Sequence, residues 1–326
     1  MDITRRKCLA GFAGMVASSS IFPAFATDTF KMGLLVSGSV AEEGWNRIAY
    51  DALRGVEKAL GAKVSYVELQ QNPATFEKAF RDYATQGYNV VLGHGFEYGD
   101  AALAVAEDFP DMVFLISSSN IHEGKVIGLN TDTSQPFYLM GVLAARLGKR
   151  AGLVGGMEIP PIQQAFEGFK NGVKSVNPDF PVSEVYVGSF VDTTAVKEAT
   201  LSVIASGADF VLPHAGGAGM GGFQAIAESG KGVNTFSVFS DYTEVAPDNI
   251  LGLCLTDYAA GVVRIVKSVR DGNPPTSNIE FGFADPDVMS FAYNEKAKTP
   301  VPAPLREEIA QLQARIASGE IQTRAR

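Results

Sequence analysis

Short apolar runs, many rich in β-branched residues, recur along the chain, and helical periodicity follows most of them. "FKMGLLVSG" precedes a predicted helix over 45–61. "AKVSYVEL" precedes one over 73–87, and "YNVVLGHG" one over 100–108. "MVFLISSS" and "KVIGLNTD" follow in quick succession, and "QPFYLMGVLAARLG" reads as a long helix. The alternation then restarts. "RAGLVGGM" leads to a helix over 162–176, "SEVYVGSF" to one over 194–206, and "ADFVLPHAG" to one over 222–229. "NTFSVFSD" and "ILGLCLTD" come next, then a helix over 258–271 and "NIEFGFADPDVMSFAY", which reads as a closing strand pair.

Strands alternating with helices of about a dozen residues mean βαβ units and parallel sheets. The pattern runs twice with a break near 130–148, which predicts an α/β chain of two doubly wound lobes. Such sheets bind ligands outside the carboxyl ends of their strands. The segments to inspect are therefore 37–45, 94–100, 117–120, 155–161, 189–192, 214–222 and 240–244. They are rich in Gly, Ser, His, Asp, Asn and aromatics. The chain's one tryptophan, Trp45, belongs to this set. It is read either as an aromatic face for a flat, partly polar ring or as packing at a helix N-terminus.

The first residues change the picture of where the chain works. Arg5, Arg6 and Lys7 precede an apolar run from Leu9 to Phe22, and Pro23-Ala24-Phe25-Ala26 gives a small-x-small cleavage pattern. Residues 1–26 thus read as a signal peptide, too short in its apolar part to span a bilayer comfortably. The stretch from Thr4 to Leu9 resembles a twin-arginine export signal, with Cys8 where phenylalanine is usual. Cys8 precedes the apolar run, so it is assigned to the removed peptide and not to a lipid anchor. Removing 1–26 takes three of the 27 basic and one of the 36 acidic residues, leaving 24 against 35, a net −11. That balance argues against nucleic acid and anionic membranes as partners. One cysteine, Cys254, remains, which permits no intrachain disulfide.

Several motifs compete for a chemical role. Gly217, Gly219 and Gly222 satisfy G-x-G-x-x-G between a strand and a helix, with Asp241 19 residues beyond Gly222. By pattern this is a dinucleotide fingerprint, whose glycines let backbone approach a pyrophosphate. An exported chain has no ready supply of NAD(P), so the alternative is a loop that approaches a different ligand. No G-x-S-x-G nucleophile elbow occurs, and Cys254 lies inside an apolar strand. His94 and His214 both follow strands, without carboxylates or thiols at metal-ligand spacing, and hydrogen bonding to a ligand is the expected use. Asp192 and Asp241 are read either as helix caps or as cleft carboxylates.

The segments "GWN", "GHGFEYGDA", "GGMEIPPIQQAFEGFKNGVKSVNP", "YVGSFVDTTAVKEA", "GADFVLPHAGGAGMGGFQAIAESG", "FSVFSD" and "IASGEIQ" together resemble the basic membrane protein family. These are the purine nucleoside receptor-like substrate-binding proteins of ABC transporters. The resemblance covers nearly the whole chain after the signal, and 155–222 is its most specific part. It implies a type I periplasmic-binding-protein fold, two Rossmann-like lobes joined by a three-segment hinge. It implies a non-enzymatic receptor without a cofactor, with a purine base, a nucleoside or a similar flat heterocycle as ligand.

Carried over by position, the resemblance makes Trp45 the aromatic that stacks on the base, Asn46 its polar neighbour and Phe190 the stacking partner from the other lobe. It places Gly217 where backbone meets ligand, makes Asp241 a ligand carboxylate, and makes 94–100 a loop with a further polar contact. The expected ligand-binding set is Trp45, Asn46, His94, Phe96, Phe190, Asp192, His214, Gly217 and Asp241. Two departures fall where a ribose would be held. The first loop, "SGSVAEEG", offers only Glu42 or Glu43 for a usual aspartate, and Thr256 and Asp257 stand near a usual lysine.

The lobes are expected to comprise 27–130 with 242–272, and 131–241 with 273–326. The chain is expected to be a periplasmic monomer that delivers its ligand to an ABC permease. An exported NAD(P)-linked or hydrolytic enzyme using the 217–222 loop, and a periplasmic sensory receptor, are the alternatives.

Overall fold

The computed structural model describes residues 29–41, 44–70, 72–239 and 241–325. The expected signal peptide and the Glu42 and Glu43 alternative lie outside the described residues.

The first half forms β1 (Lys31–Val36), α1 (Trp45–Leu60), β2 (Lys63–Glu68), α2 (Pro73–Thr85), β3 (Val90–His94), α3 (Gly99–Ala106), β4 (Val113–Ser117), the two-residue β5 (His122–Glu123) and β6 (Val126–Thr131). The second half forms α4 (Ser134–Leu147), β7 (Ala151–Gly155), α5 (Pro160–Val176), β8 (Val182–Tyr186), α6 (Thr193–Ala205), β9 (Phe210–His214), α7 (Gly219–Glu228) and β10 (Thr235–Val238). Then come β11 (Ile250–Thr256), α8 (Tyr258–Arg270), β12 (Ile279–Phe281), β13 (Met289–Tyr293) and α9 (Ala303–Ala317).

The first sheet runs β12-β6-β4-β3-β1-β2, all parallel, with β5 antiparallel on β6. Both of its faces are covered, so its central strands are buried throughout, as parallel sheets require. On β1, Met32, Leu34 and Val36 pack with α1 and α8, while Leu35 packs toward α2 and α3. The second sheet has two parts, β8-β7-β9 and β10-β11-β13. A bridge between Phe210 and Asn234 joins them, and the Val211 N–H donates to the Asn234 carbonyl at 3.0 Å. Residues of α4, α5 and α9 share one core with this sheet, and residues of α6 and α7 share another.

Strand pairing departs from the expected boundaries. The segment 278–293 is not a strand pair: β12 joins β6 in the first sheet, and β13 joins β11 antiparallel in the second. Likewise β11, expected with the first lobe, lies in the second sheet, while α8 packs beside α1 in the first core. The chain therefore passes between the sheets at 131–134, 256–258 and 281–289. Periodicity cannot show this, because an apolar strand fits either sheet. The C-terminal tail ties two of these passages together. Arg324 pairs with Asp132 at 3.3 Å and with Glu280 at 2.6 Å, and the Thr323 and Ser134 hydroxyls meet at 2.6 Å.

Candidate functional site

Trp45 is the first residue of α1, and its N-cap is Gly44, with φ 129° and no side chain to cap with. A side chain at residue 44 would be strained by that φ. The loop also touches the second half of the chain, where a Cβ on Gly44 would lie in ordinary contact, 3.8 Å from the Gly217 nitrogen. The loop that carries Trp45 thus faces the glycine loop after β9.

Behind Trp45 stands His94, the last residue of β3. The two rings stack with centroids 4.1 Å apart and planes 24° apart. A ring nitrogen, Nε2, donates to the Trp45 carbonyl at 2.9 Å, since a carbonyl can only accept. Nδ1 is then an acceptor, and the Ser117 hydroxyl at the end of β4 donates to it at 3.1 Å. Both nitrogens are spent inside the protein, and His94 is 1% exposed. Burial drives its pKa down to about 3, only partly offset by the bond to the Trp45 carbonyl, so the ring is neutral. His94 is therefore a backing and positioning group for Trp45, and not the free ligand donor expected of it. Trp45 keeps 39% of its surface exposed.

His214 ends β9 as His94 ends β3. It is 9% exposed and packs against Phe137 at 5.0 Å, Phe166 at 6.4 Å and Phe239 at 6.0 Å. No hydrogen bond to its ring nitrogens occurs among the described residues. Burial alone pushes its pKa down to about 4. Phe239, one residue past β10, also meets Trp45 edge-on at 6.3 Å. Its φ of 65° is rare for a bulky residue and marks a strained turn.

The other expected site residues separate into two groups. Asn46, partly buried, donates from Nδ2 to the Ser37 carbonyl at 3.4 Å, and Gly217 is exposed opposite Gly44. Phe96 is 54% exposed. Phe190 lies over Gly156 and Gly216, and its carbonyl accepts from the Ala218 N–H at 3.0 Å. It thus supports the glycine loop, and Phe239 is the ring that reaches Trp45. Asp192 and Asp241 are both exposed. Asp192 accepts from the Ala195 N–H at 2.9 Å as the N-cap of α6. Asp241 accepts from the Thr243 N–H at 2.8 Å. Each carboxylate thus has a local cap to make.

Sequence reasoning missed two groups. Phe239 falls one residue before the segment inspected after its strand. Glu97, in a short helical turn over Phe96–Tyr98, accepts from the Ser37 hydroxyl at 3.1 Å and folds back over Gly95.

The glycines of the 217–222 motif have a packing use. α7 begins at Gly219, so most of the motif is helix. A Cβ on Gly222 would sit 2.5 Å from Pro213, and one on Gly221 would sit 2.1 Å from the Thr193 carbonyl. These glycines let α7 pack on β9 and on the start of α6. Cys254 is buried, with its pKa raised to about 12 by burial, so its thiol stays inert. Among the described residues no three His, Cys, Asp or Glu side chains converge to hold a metal, and no helix is long and apolar enough to cross a membrane.

Two wound sheets and three connecting passages define the type I periplasmic-binding fold, with an aromatic cluster at the strand ends. A solved ABC transporter solute-binding protein of Conexibacter woesei shares this fold with a TM-score of 0.72, 25% identity and coverage of 90% of this chain and 98% of that one. The family profile described as "ABC transporter substrate-binding protein PnrA-like" matches residues 29–324, and the chain belongs to this Bmp family, whose members are not enzymes. A purine-binding protein of Brucella abortus is 27% identical over 302 residues, 91% of this chain and 84% of its own. The ABC transporter nucleoside-binding protein BmpA of Lactococcus lactis is 33% identical over 193 residues, 57% of this chain and 55% of its own.

Proposed function

We propose that this substrate-binding protein captures a purine base or purine nucleoside in the periplasm and delivers it to an ABC permease. The observation that carries this reading is the half-exposed Trp45 indole, held from behind by the stacked, neutral His94. One face is fixed and the rest is open toward the second lobe, the arrangement a flat heterocycle needs. His214 adds ring nitrogens that bond to no other described residue, and a polar group of that kind gains from a ligand hydrogen bond. The names of the Brucella and Lactococcus relatives point to the same ligand class. Hinge closure at the three passages brings the two walls onto the ligand. The two departures near the ribose position favour a free base over a nucleoside. The chain acts as a monomer, exported by its signal peptide.

A thermal-shift screen of the protein without residues 1–26 tests this. Purine bases, nucleosides, riboflavin and NAD are each added at one common concentration, and a ligand present at 100-fold its dissociation constant stabilises by about 2.7 kcal/mol. A shift with adenine or guanine, but not with NAD, is expected. A response to NAD with silence from every purine overturns the proposal.

A further inference from the structure

We infer that Arg324 is a positioning residue for ligand capture: it latches the two lobes together through Glu280 and so biases the receptor toward its closed form. The inference concerns the balance between open and closed lobes, and it stands whichever ligand is bound.

The tail that carries Arg324 is fixed to the second lobe. Thr323 is buried, and its carbonyl accepts from Asn171 Nδ2 on α5 at 3.0 Å. The Ala325 N–H donates to Glu167, also on α5, at 2.9 Å. α5 in turn is locked to α4. A Cβ on Gly168 would lie 2.3 Å from the Ser134 carbonyl, and one on Gly172 2.0 Å from the Tyr138 carbonyl, so the two helix backbones touch and move as one. Arg324 is thereby pinned on both sides to a rigid helix pair.

Its guanidinium reaches out of that lobe. Nη2 donates to Glu280 at 2.6 Å and Nε to Asp132 at 3.3 Å. Glu280 lies in β12, opposite Asn130 of β6 in the first sheet. Asp132 follows β6, and its N–H donates to the Phe281 carbonyl at 2.8 Å. The two carboxylates thus stand side by side where passages 131–134 and 281–289 leave the first sheet. Arginine suits this place, because its planar fork serves two carboxylates at once and a lysine ammonium is a single point charge. Arg324 and Asp132 are mostly buried, while Glu280 is half-exposed and its arm is the more screened.

The latch is made with the lobes together. In this same structure Gly44 approaches Gly217, and Trp45 meets Phe239, across the cleft. Rotation about the passages carries Glu280 away from a tail pinned on α5, so opening breaks the bond and closure restores it. Losing a half-exposed ion pair of this kind shifts the ratio of closed to open molecules by about 5-fold at most.

Acrylamide quenching of Trp45, the chain's one tryptophan, reads the opening in protein without added ligand, with the radius of gyration from small-angle X-ray scattering beside it. The variants are Arg324→Gln, Glu280→Ala, the double variant, and Arg146→Gln. Glu280→Ala changes an exposed strand residue and guards against misfolding of Arg324→Gln. Arg146 pairs with Glu308 at 2.8 Å within the second lobe and serves as the control. The quenching constant is expected to rise by up to about twofold in Arg324→Gln and Glu280→Ala, since the indole is 39% exposed with the lobes together and loses cover when they part. The radius of gyration rises with it, the double variant goes no further than Arg324→Gln, and Arg146→Gln matches wild type. A lowered thermal midpoint with unchanged quenching and radius overturns the latch, because it makes the tail a structural staple only. A fall in quenching, or an equal rise in Arg146→Gln, overturns it as well.

Discussion

Lowering the pH from 7 to 5 should destabilise this protein through two histidines before its carboxylates contribute much. His94 and His214 are buried, with pKa values lowered from 6.5 to about 3 and about 4. The groups facing His94 are the Ser117 hydroxyl, the Trp45 carbonyl and the Tyr258 ring; those facing His214 are Phe137, Phe166 and Phe239. None is a carboxylate that would welcome a proton. A depressed histidine pKa means that the unfolded chain binds the proton first. The stability each ring contributes is therefore complete above pH 6.5 and is lost as pH falls from there toward its folded value. At pH 5, 1.5 units below 6.5, the loss is about 2 kcal/mol per ring and about 4 kcal/mol for both. Guanidinium unfolding at pH 7 and pH 5, followed by circular dichroism and Trp45 emission, measures it. His94→Gln and His214→Leu should each remove about half of the pH-dependent loss, whatever they do to stability at pH 7. A loss equally large in wild type and both variants would refute the reasoning, since it would mean that these rings are hydrated or protonated in the folded state.

Trp45→Ala should abolish purine binding and also lower the urea midpoint, because the indole, 39% exposed, stacks on the buried His94. Asp192→Ala should cost about 1 kcal/mol as a lost helix cap, with ligand affinity intact by calorimetry; a selective affinity loss would restore the carboxylate to the site. Gly222→Ala should destabilise by about 1–3 kcal/mol through overpacking against Pro213, read from the thermal midpoint, and should leave behaviour toward NAD unaltered. Cys254 should resist a thiol reagent under native conditions and react at once in denaturant, because its sulfur is buried and its pKa is about 12.

Much of the architecture is legible in the chain itself. Alternating apolar and helical periods mark the wound sheets, since strands buried on both faces must be apolar at nearly every position. Strand-end loops mark the site region, and Trp45, His94, His214 and Gly217 all fall there. The C-terminal helix α9 was less visible, because it buries only Ile309 and Ile316 and gives a weak stripe.

Side-chain partners were the part the sequence withheld. His94 and His214 look alike as strand-end histidines, yet one spends both nitrogens on Trp45 and Ser117 while the other bonds to none of the described residues. Asp192 and Asp241 look like cleft carboxylates until backbone N–H groups claim them. The sequence by itself determined the parallel α/β class, the placing of its lone tryptophan where the first strand's loop enters a helix, and the family. Only the tertiary structure decided which sheet β11 and β12 join, what the glycines of α7 pack against, and that Phe239 meets Trp45. Periodicity records whether a position is buried, a property of one residue and its neighbours in the chain. Which distant group lies against it depends on how two lobes come together, and no local pattern encodes that.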